Sequence, residues 1–280
     1  MKVILAEHSG FCFGVEKAIN TVFSKMNEEN IDKRLYTLGP LIHNTHVVNE
    51  LEKKGIKAVD DLDDISNGII IIRSHGVPEE VYEKAKLKGL EIVDTTCPYV
   101  KRIQNIVKDY YLIGYTIIIV GSPDHPEVIG INGWCNNEAI IINSIDQTKN
   151  ISFIDKICLV SQTTMPIELF CEISKDLENK TNDIKKFDTI CTATKRRQDS
   201  TRNLAKEVDA MVVIGDNHSS NTKKLLEICH SINPDAAFLI QSKDELPIDQ
   251  LKKYNVIGVT AGASAPSWII KDIVEILKEI

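Results

Sequence analysis

Short runs of β-branched residues alternate with amphipathic stretches along all 280 residues of this chain, and few folds accept that rhythm. The predicted strands are Val3–Leu5, Leu35–Thr37, Ile69–Arg73, Ile92–Asp94, Thr116–Val120, Ala139–Ile142, Ile157–Val160, Phe187–Ile190, Ala210–Ile214, Ala237–Ile240 and Val256–Thr260. Most are apolar at consecutive rather than alternate positions, as strands covered by helices on both faces are. Between them, Val15, Ala18, Ile19, Val22, Phe23 and Met26 fall on one helical face, and Ile269, Ile270, Ile273, Val274 and Leu277 repeat the pattern. The class is α/β, with parallel sheets.

Charge and run lengths remove several functions. Lys and Arg number 33 against 40 Asp and Glu, a formal charge of −7, and aromatics are 6%. A nucleic-acid surface needs the opposite balance and rings to stack on, so no nucleic-acid partner is expected. The apolar start Val3-Ile4-Leu5-Ala6 is too short for a signal peptide. Ile69–Ile72 and Ile117–Val120 are too short to cross a bilayer. A cytoplasmic protein without a membrane partner is the expectation. The acidic stretch Asp60–Asp64 reads as a solvated loop. Seven scattered cysteines in such a chain do not form a disulfide framework.

In open α/β sheets, ligands bind where strands run into helices. Nearly every such loop here carries a cysteine, a histidine or clustered hydroxyls. Cys12, Cys97 and Cys191 each sit at one, and Pro98 suits the first helical position with Cys97 as the N-cap. A helix N-terminus favours a thiolate, the form that binds metal. The three cysteines cut the chain into nearly equal thirds, which suggests three pseudo-equivalent units. Length alone, at about 150 residues per domain, suggests two domains. Three thiolates on one centre would hold an iron–sulfur cluster or zinc, leaving a metal position open for substrate. The competing reading makes all three small buried hydrophobes, and no C-x-x-C decides between them. Cys158 in a strand, and Cys171 and Cys229 in helices, are expected to face the core, while Cys135 receives no role.

His43, His75 and His125 lie in the strand-end loops, whereas His230 is placed mid-helix without a role. Ser219-Ser220-Asn221 and Ser264 each precede a helix; singly they read as N-caps. Together with the imidazoles they would cage a diphosphate. Neither a P-loop nor a G-x-G-x-x-G is present, so no ATP or dinucleotide site is indicated. Lys195-Arg196-Arg197 reads as a solvated helix face. Glu127, in the first turn of a helix opened by Pro126, is the candidate proton donor. The helix end lowers its pKa and desolvation raises it, and the sequence does not decide between them.

The segments GFCFGV, GPLIHN, SHGV, DTTCP, HPEV, QTT, TICTAT, RQ, SSN and GVTAGASAP occur in that order from Gly10 to Pro266. This set resembles the motifs of the LytB-type iron–sulfur reductases of the non-mevalonate isoprenoid pathway. The resemblance implies a trefoil of three α/β units, 13–96, 97–190 and 191–267, with 1–12 and 268–280 packed on them. It implies one central [4Fe-4S] cluster per chain, held through Cys12, Cys97 and Cys191, with its fourth iron open to the substrate hydroxyl. His43, His75, His125, Thr163, Ser219, Ser220, Asn221 and Ser264 fall on the family's substrate-binding positions, and Glu127 on its proton relay. The implied reaction is reductive dehydroxylation of an allylic diphosphate to isopentenyl and dimethylallyl diphosphate, with ferredoxin or flavodoxin as donor. One departure is Gly121-Ser122-Pro123-Asp124, where many members carry Gly-His-Glu-Gly; His125 and Glu127 stay in place. Three alternatives differ in chemistry: a three-cysteine enzyme of the quinolinate synthase kind, a non-catalytic iron–sulfur sensor or electron carrier, and a zinc protein.

Overall fold

The computed structural model describes residues 1–27 and 34–280. In chain order its elements begin with β1 (Lys2–Leu5), α1 (Phe13–Met26), β2 (Leu35–Leu38), α2 (Thr45–Lys53), β3 (Lys57–Val59), β4 (Ile69–Ile72), α3 (Glu79–Leu87), β5 (Glu91–Asp94) and α4 (Pro98–Leu112). There follow β6 (Thr116–Val120), α5 (Pro126–Asn132), β7 (Ile140–Ile142), β8 (Ile154–Ser161), α6 (Ile167–Glu178), β9 (Thr181–Lys186) and α7 (Thr192–Ala205). The last are β10 (Ala210–Ile214), α8 (Ser220–Ile232), β11 (Ala237–Ile240), α9 (Ile248–Leu251), β12 (Val256–Ala261) and α10 (Ser267–Glu279). The strands form three four-stranded sheets, ordered β1-β12-β10-β11, β3-β2-β4-β5 and β7-β6-β8-β9. Every pairing is parallel, so the molecule is α/β with three parallel-sheet units.

By internal contacts the chain divides into two compact units. One comprises Met1–Glu16, Ile42–Leu51 and Thr192–Ile280, and holds the first of those sheets. The other comprises Lys17–Leu41 and Glu52–Cys191, and holds the other two. The sheet through β6 and β8 shows why its strands read as unbroken apolar runs. Ile117, Ile119, Cys158 and Val160 pack with Ile103 and Val107 of α4 and Val128 and Ile131 of α5. Ile118, Val120, Ile157 and Leu159 pack on the other side with Phe170, Ile173 and Leu177 of α6. Each such side chain contributes about 1.5–3 kcal/mol by leaving water. The sheet through β10 repeats the scheme, with α10 against Val212 and Val259. Leu204 of α7 and Leu225 of α8 lie against Met211 and Val213.

Two local expectations are corrected, and one strand is added. Phe187–Ile190 is not a strand; β9 lies earlier, at Thr181–Lys186, while Phe187 packs edge-on against Tyr110 at 5.2 Å. Among the described residues β9 pairs only with β8, and an edge strand that is polar apart from Ile184 gives no apolar run to read. β3, which the sequence did not reveal, is an edge strand of three residues, Lys57-Ala58-Val59, too short to show a run. Asp61 caps a short 3-10 turn, Leu62–Asp64, in which Leu62 is buried. Among the described residues, no helix is long and apolar enough to cross a membrane.

Candidate functional site

In the larger unit, five strand-end loops build one group, those after β4, β5, β6, β8 and β9, joined by hydrogen bonds and a ring contact. Cys97 is the N-cap of α4 with Pro98 following, as its sequence predicts. Its N–H donates to the carbonyl of Ser74 at 3.0 Å, next to His75. The His75 ring meets the His125 ring edge-on, centroids 5.7 Å apart. His125 caps α5, its Nδ1 accepting the Glu127 N–H at 3.1 Å. A neutral ring bonded this way carries its proton on Nε2, the arrangement suited to donating toward an anion. α5 lies hard against the His75 loop because Gly130 within it and Gly133 just after it lack side chains. A Cβ at Gly130 would stand 3.2 Å from the Gly76 backbone, and one at Gly133 2.3 Å from Pro78. The Trp134 indole N–H then donates to the Val77 carbonyl at 3.0 Å.

Glu127 is 3% exposed. Its Oε1 accepts the Thr163 N–H at 2.6 Å and its Oε2 accepts the Thr163 hydroxyl at 2.7 Å. The Thr163 carbonyl in turn accepts the Cys191 N–H at 3.0 Å. Burial raises the Glu127 pKa, the two Thr163 bonds lower it, and burial prevails, pushing it up to about 7. The question left open by the sequence is settled in favour of desolvation. A stability prediction follows from that direction. The folded protein keeps the proton that the unfolded chain releases near its ordinary value of 4.5, so stability is lost as pH rises from there to about 7. The loss is on the order of 3 kcal/mol. Glu127→Gln should therefore gain stability relative to the unchanged protein at pH 8 and lose that advantage below pH 4.5, read by chemical denaturation at both pH values. An equal difference at the two would contradict the assignment.

The smaller unit gathers a second group. Cys12 precedes α1, its carbonyl accepting the Glu16 N–H at 2.9 Å and its N–H donating to Ala263 at 3.1 Å. The Ser264 hydroxyl donates to the His43 carbonyl at 2.7 Å; Pro266, not Ser264, caps α10. Ser219 caps α8, accepting the Thr222 N–H at 3.3 Å. Ser220 and Asn221 are the first residues of that helix. Asn221 is 4% exposed, and neither its side-chain nitrogen nor its oxygen has a hydrogen-bond partner. Burying an amide in that state costs about 1–3 kcal/mol, which a ligand would relieve.

The remaining cysteines differ from these three. Burial pushes the thiol of Cys135 up to about 11 and those of Cys158 and Cys229 up to about 12, so they stay protonated. Cys171, expected in the core, is exposed on α6. Cys12, Cys97 and Cys191 form no disulfide and are half-buried, and each directly precedes a helix. Their donor chemistry fits a thiolate-held cluster, although among the described residues no three His, Cys, Asp or Glu are gathered closely enough to hold a metal ion.

Two residues escaped sequence reasoning. Arg197, which the charge run puts on a solvated face, is 4% exposed, while Lys195 and Arg196 point outward. Asp216 is buried, accepting the Thr45 hydroxyl at 3.0 Å and the His218 N–H at 2.8 Å, and so ties the His43 segment to the Ser219 loop. The RQ pair hinted at the first; nothing marked the second.

Comparison with known proteins gives one consistent picture. The family model described as LytB protein matches residues 3–278. A protein of Alkaliphilus oremlandii named 4-hydroxy-3-methylbut-2-enyl diphosphate reductase is 53% identical over 275 residues, covering 98% of each chain. A solved structure described as (E)-4-hydroxy-3-methyl-but-2-enyl diphosphate reductase, the terminal enzyme of the non-mevalonate pathway, covers 100% of both chains at 37% identity and a TM-score of 0.73. A Plasmodium falciparum structure, described as an E-1-hydroxy-2-methyl-but-2-enyl-4-diphosphate reductase, reaches a TM-score of 0.91 at 30% identity, covering 98% of this chain and 87% of its own.

Proposed function

The chain belongs to the LytB protein family, and from that premise we propose how its own residues carry out the family's reaction. It is a reductase of (E)-4-hydroxy-3-methylbut-2-enyl diphosphate, acting at the last step of the non-mevalonate isoprenoid pathway. The allylic C–O bond is cleaved with two electrons and two protons. One proton goes to the leaving oxygen, giving water, and one to carbon, giving isopentenyl or dimethylallyl diphosphate. We assign one [4Fe-4S] cluster per chain to Cys12, Cys97 and Cys191, within the repeats 13–96, 97–190 and 191–267. When bound, that cluster supplies the electrons and a Lewis-acidic iron. Ferredoxin or flavodoxin is assigned as the donor, in the cytoplasm.

Glu127 carries the proton chemistry. A carboxyl group poised near neutrality is still protonated in good part at working pH, the condition a general acid requires. The Thr163 hydroxyl, 2.7 Å from Oε2, both accepts and donates, so it can pass that proton onward. His43, His75, His125, Ser219, Ser220, Asn221 and Ser264 are assigned to the substrate, the diphosphate being held by helix-end N–H groups, hydroxyls and imidazoles. The observation that carries this reading is the buried carboxyl of Glu127 with both oxygens on Thr163.

Asn221 supplies a separate test of the diphosphate assignment. Hydrogen bonds to charged groups are worth about 1.5–3 kcal/mol, so Asn221→Ala should raise KM for the diphosphate about 10- to 100-fold. Its thermal midpoint should not fall, since the variant removes a buried amide without partners. Steady-state kinetics with a chemical reductant measures the first, and an unchanged KM would remove Asn221 from the diphosphate site.

A further inference from the structure

Arg197 separates from its neighbours Lys195 and Arg196 by turning inward on α7. Its Nη2 donates to the Gly10 carbonyl at 2.7 Å, and its Nη1 lies 3.5 Å from the Ala193 carbonyl. Gly10 holds a φ of +85°, and a Cβ there would come within 2.9 Å of Ile270. The turn from Gly10 to Cys12 is also pinned by two backbone bonds. The Gly10 N–H donates to Ala261 at 3.4 Å and the Cys12 N–H to Ala263 at 3.1 Å. Backbone bonds and a glycine already define this turn. A neutral amide would serve to cap one more carbonyl, whereas burying a guanidinium is far more costly. What arginine alone adds is a permanent charge on a planar fork, fixed two residues from Cys12.

We propose that Arg197 is a positioning residue for the Cys12 ligand, fixing beside its already defined turn a positive charge that favours the reduced cluster. The inference rests on the assignment of Cys12 as a cluster ligand. A cluster held by thiolates gains one negative charge when an external low-potential donor delivers an electron to it. A nearby buried cation lowers the energy of that more negative state, which raises the midpoint potential.

The test uses anaerobically prepared full-length protein, R197K and R197Q, with three readouts. These are iron and sulfide content, the midpoint potential from a mediated titration followed by electron paramagnetic resonance, and the thermal midpoint of the iron-free forms. R197Q should retain its cluster and hold about tenfold less of it reduced at a given poise, ~59 mV for a one-electron couple. R197K, which keeps the charge without the fork, should fall between. Loss of iron from R197Q with an unchanged iron-free thermal midpoint would also support the inference, because ligation rather than folding then depends on the residue. An unaltered potential in iron-replete R197Q, or identical potentials in R197K and R197Q, would overturn it. Equal destabilisation of both iron-free variants would overturn it as well, by making Arg197 a folding residue only. Absence of iron from the unchanged protein would instead fault the ligand assignment on which the inference rests.

Discussion

Glu127→Gln lowers turnover of the allylic diphosphate by about two to four orders of magnitude, the usual worth of a positioned general acid. Iron content and KM stay close to those of the unchanged protein. The substitution is nearly isosteric, and the amide oxygen still accepts the Thr163 N–H that Oε1 accepts at 2.6 Å. The Thr163 hydroxyl can turn to accept from the new amide group. What disappears is the exchangeable proton. The pH profile makes the assignment specific. Burial sets the Glu127 pKa at about 7, so the rate should be level below that value and fall above it as the donor is lost. The Gln variant should show no such limb. Thr163→Val probes the next link, since it keeps the backbone N–H to Oε1 and removes the hydroxyl 2.7 Å from Oε2. Near-normal turnover in Glu127→Gln would remove the residue from the mechanism.

Cys12→Ser, Cys97→Ser and Cys191→Ser each abolish turnover and lower cluster occupancy by more than about 100-fold, since loss of an outer partner alone costs 10- to 100-fold. Serine preserves the helix-capping geometry around Cys97 and Cys12, so folding should survive. The control is built into the chain. Cys171→Ser alters an exposed thiol and Cys229→Ser a buried one, and neither should change iron content per folded molecule. Cys229→Ser is expected to lose stability, because it places a hydroxyl among Leu225, Met211 and Val213. Iron and sulfide analysis beside far-ultraviolet circular dichroism separates loss of ligation from loss of fold. Equal iron in a cysteine variant of the first group and in Cys171→Ser would contradict the assignment of that ligand.

Much of the architecture was legible because burial on both faces leaves a plain sequence mark. Ile69–Ile72 and Ile117–Val120 could only be central strands, and both are buried throughout or nearly so. Pro98 and Pro126 fixed two helix starts, and with them the placement of Cys97 and Glu127. Edge strands left no such mark: Thr181–Lys186 is polar apart from Ile184, and the apolar Phe187 lies just beyond it. The polar face Thr194, Arg197, Gln198 and Thr201 repeats at helical spacing yet is buried; for Arg197 the charge run suggested solvent, and only the partners across the fold show otherwise. Cys171 failed in the opposite sense, an apolar-type residue left outside. For Glu127 the identity of the candidate was readable but its chemistry was not, because desolvation depends on what α5 is packed against. Asn221 had a local reading as a helix-start residue, and its unpartnered burial emerges only in three dimensions.

The most direct measurement of the central claim is turnover of (E)-4-hydroxy-3-methylbut-2-enyl diphosphate by anaerobically purified protein with a chemical reductant, beside metal analysis of the same sample. The expected result is a brown protein with roughly four irons and matching sulfide, which converts the substrate to isopentenyl and dimethylallyl diphosphate with release of water. A colourless zinc protein, or an iron-replete one that leaves the diphosphate unchanged, would contradict it.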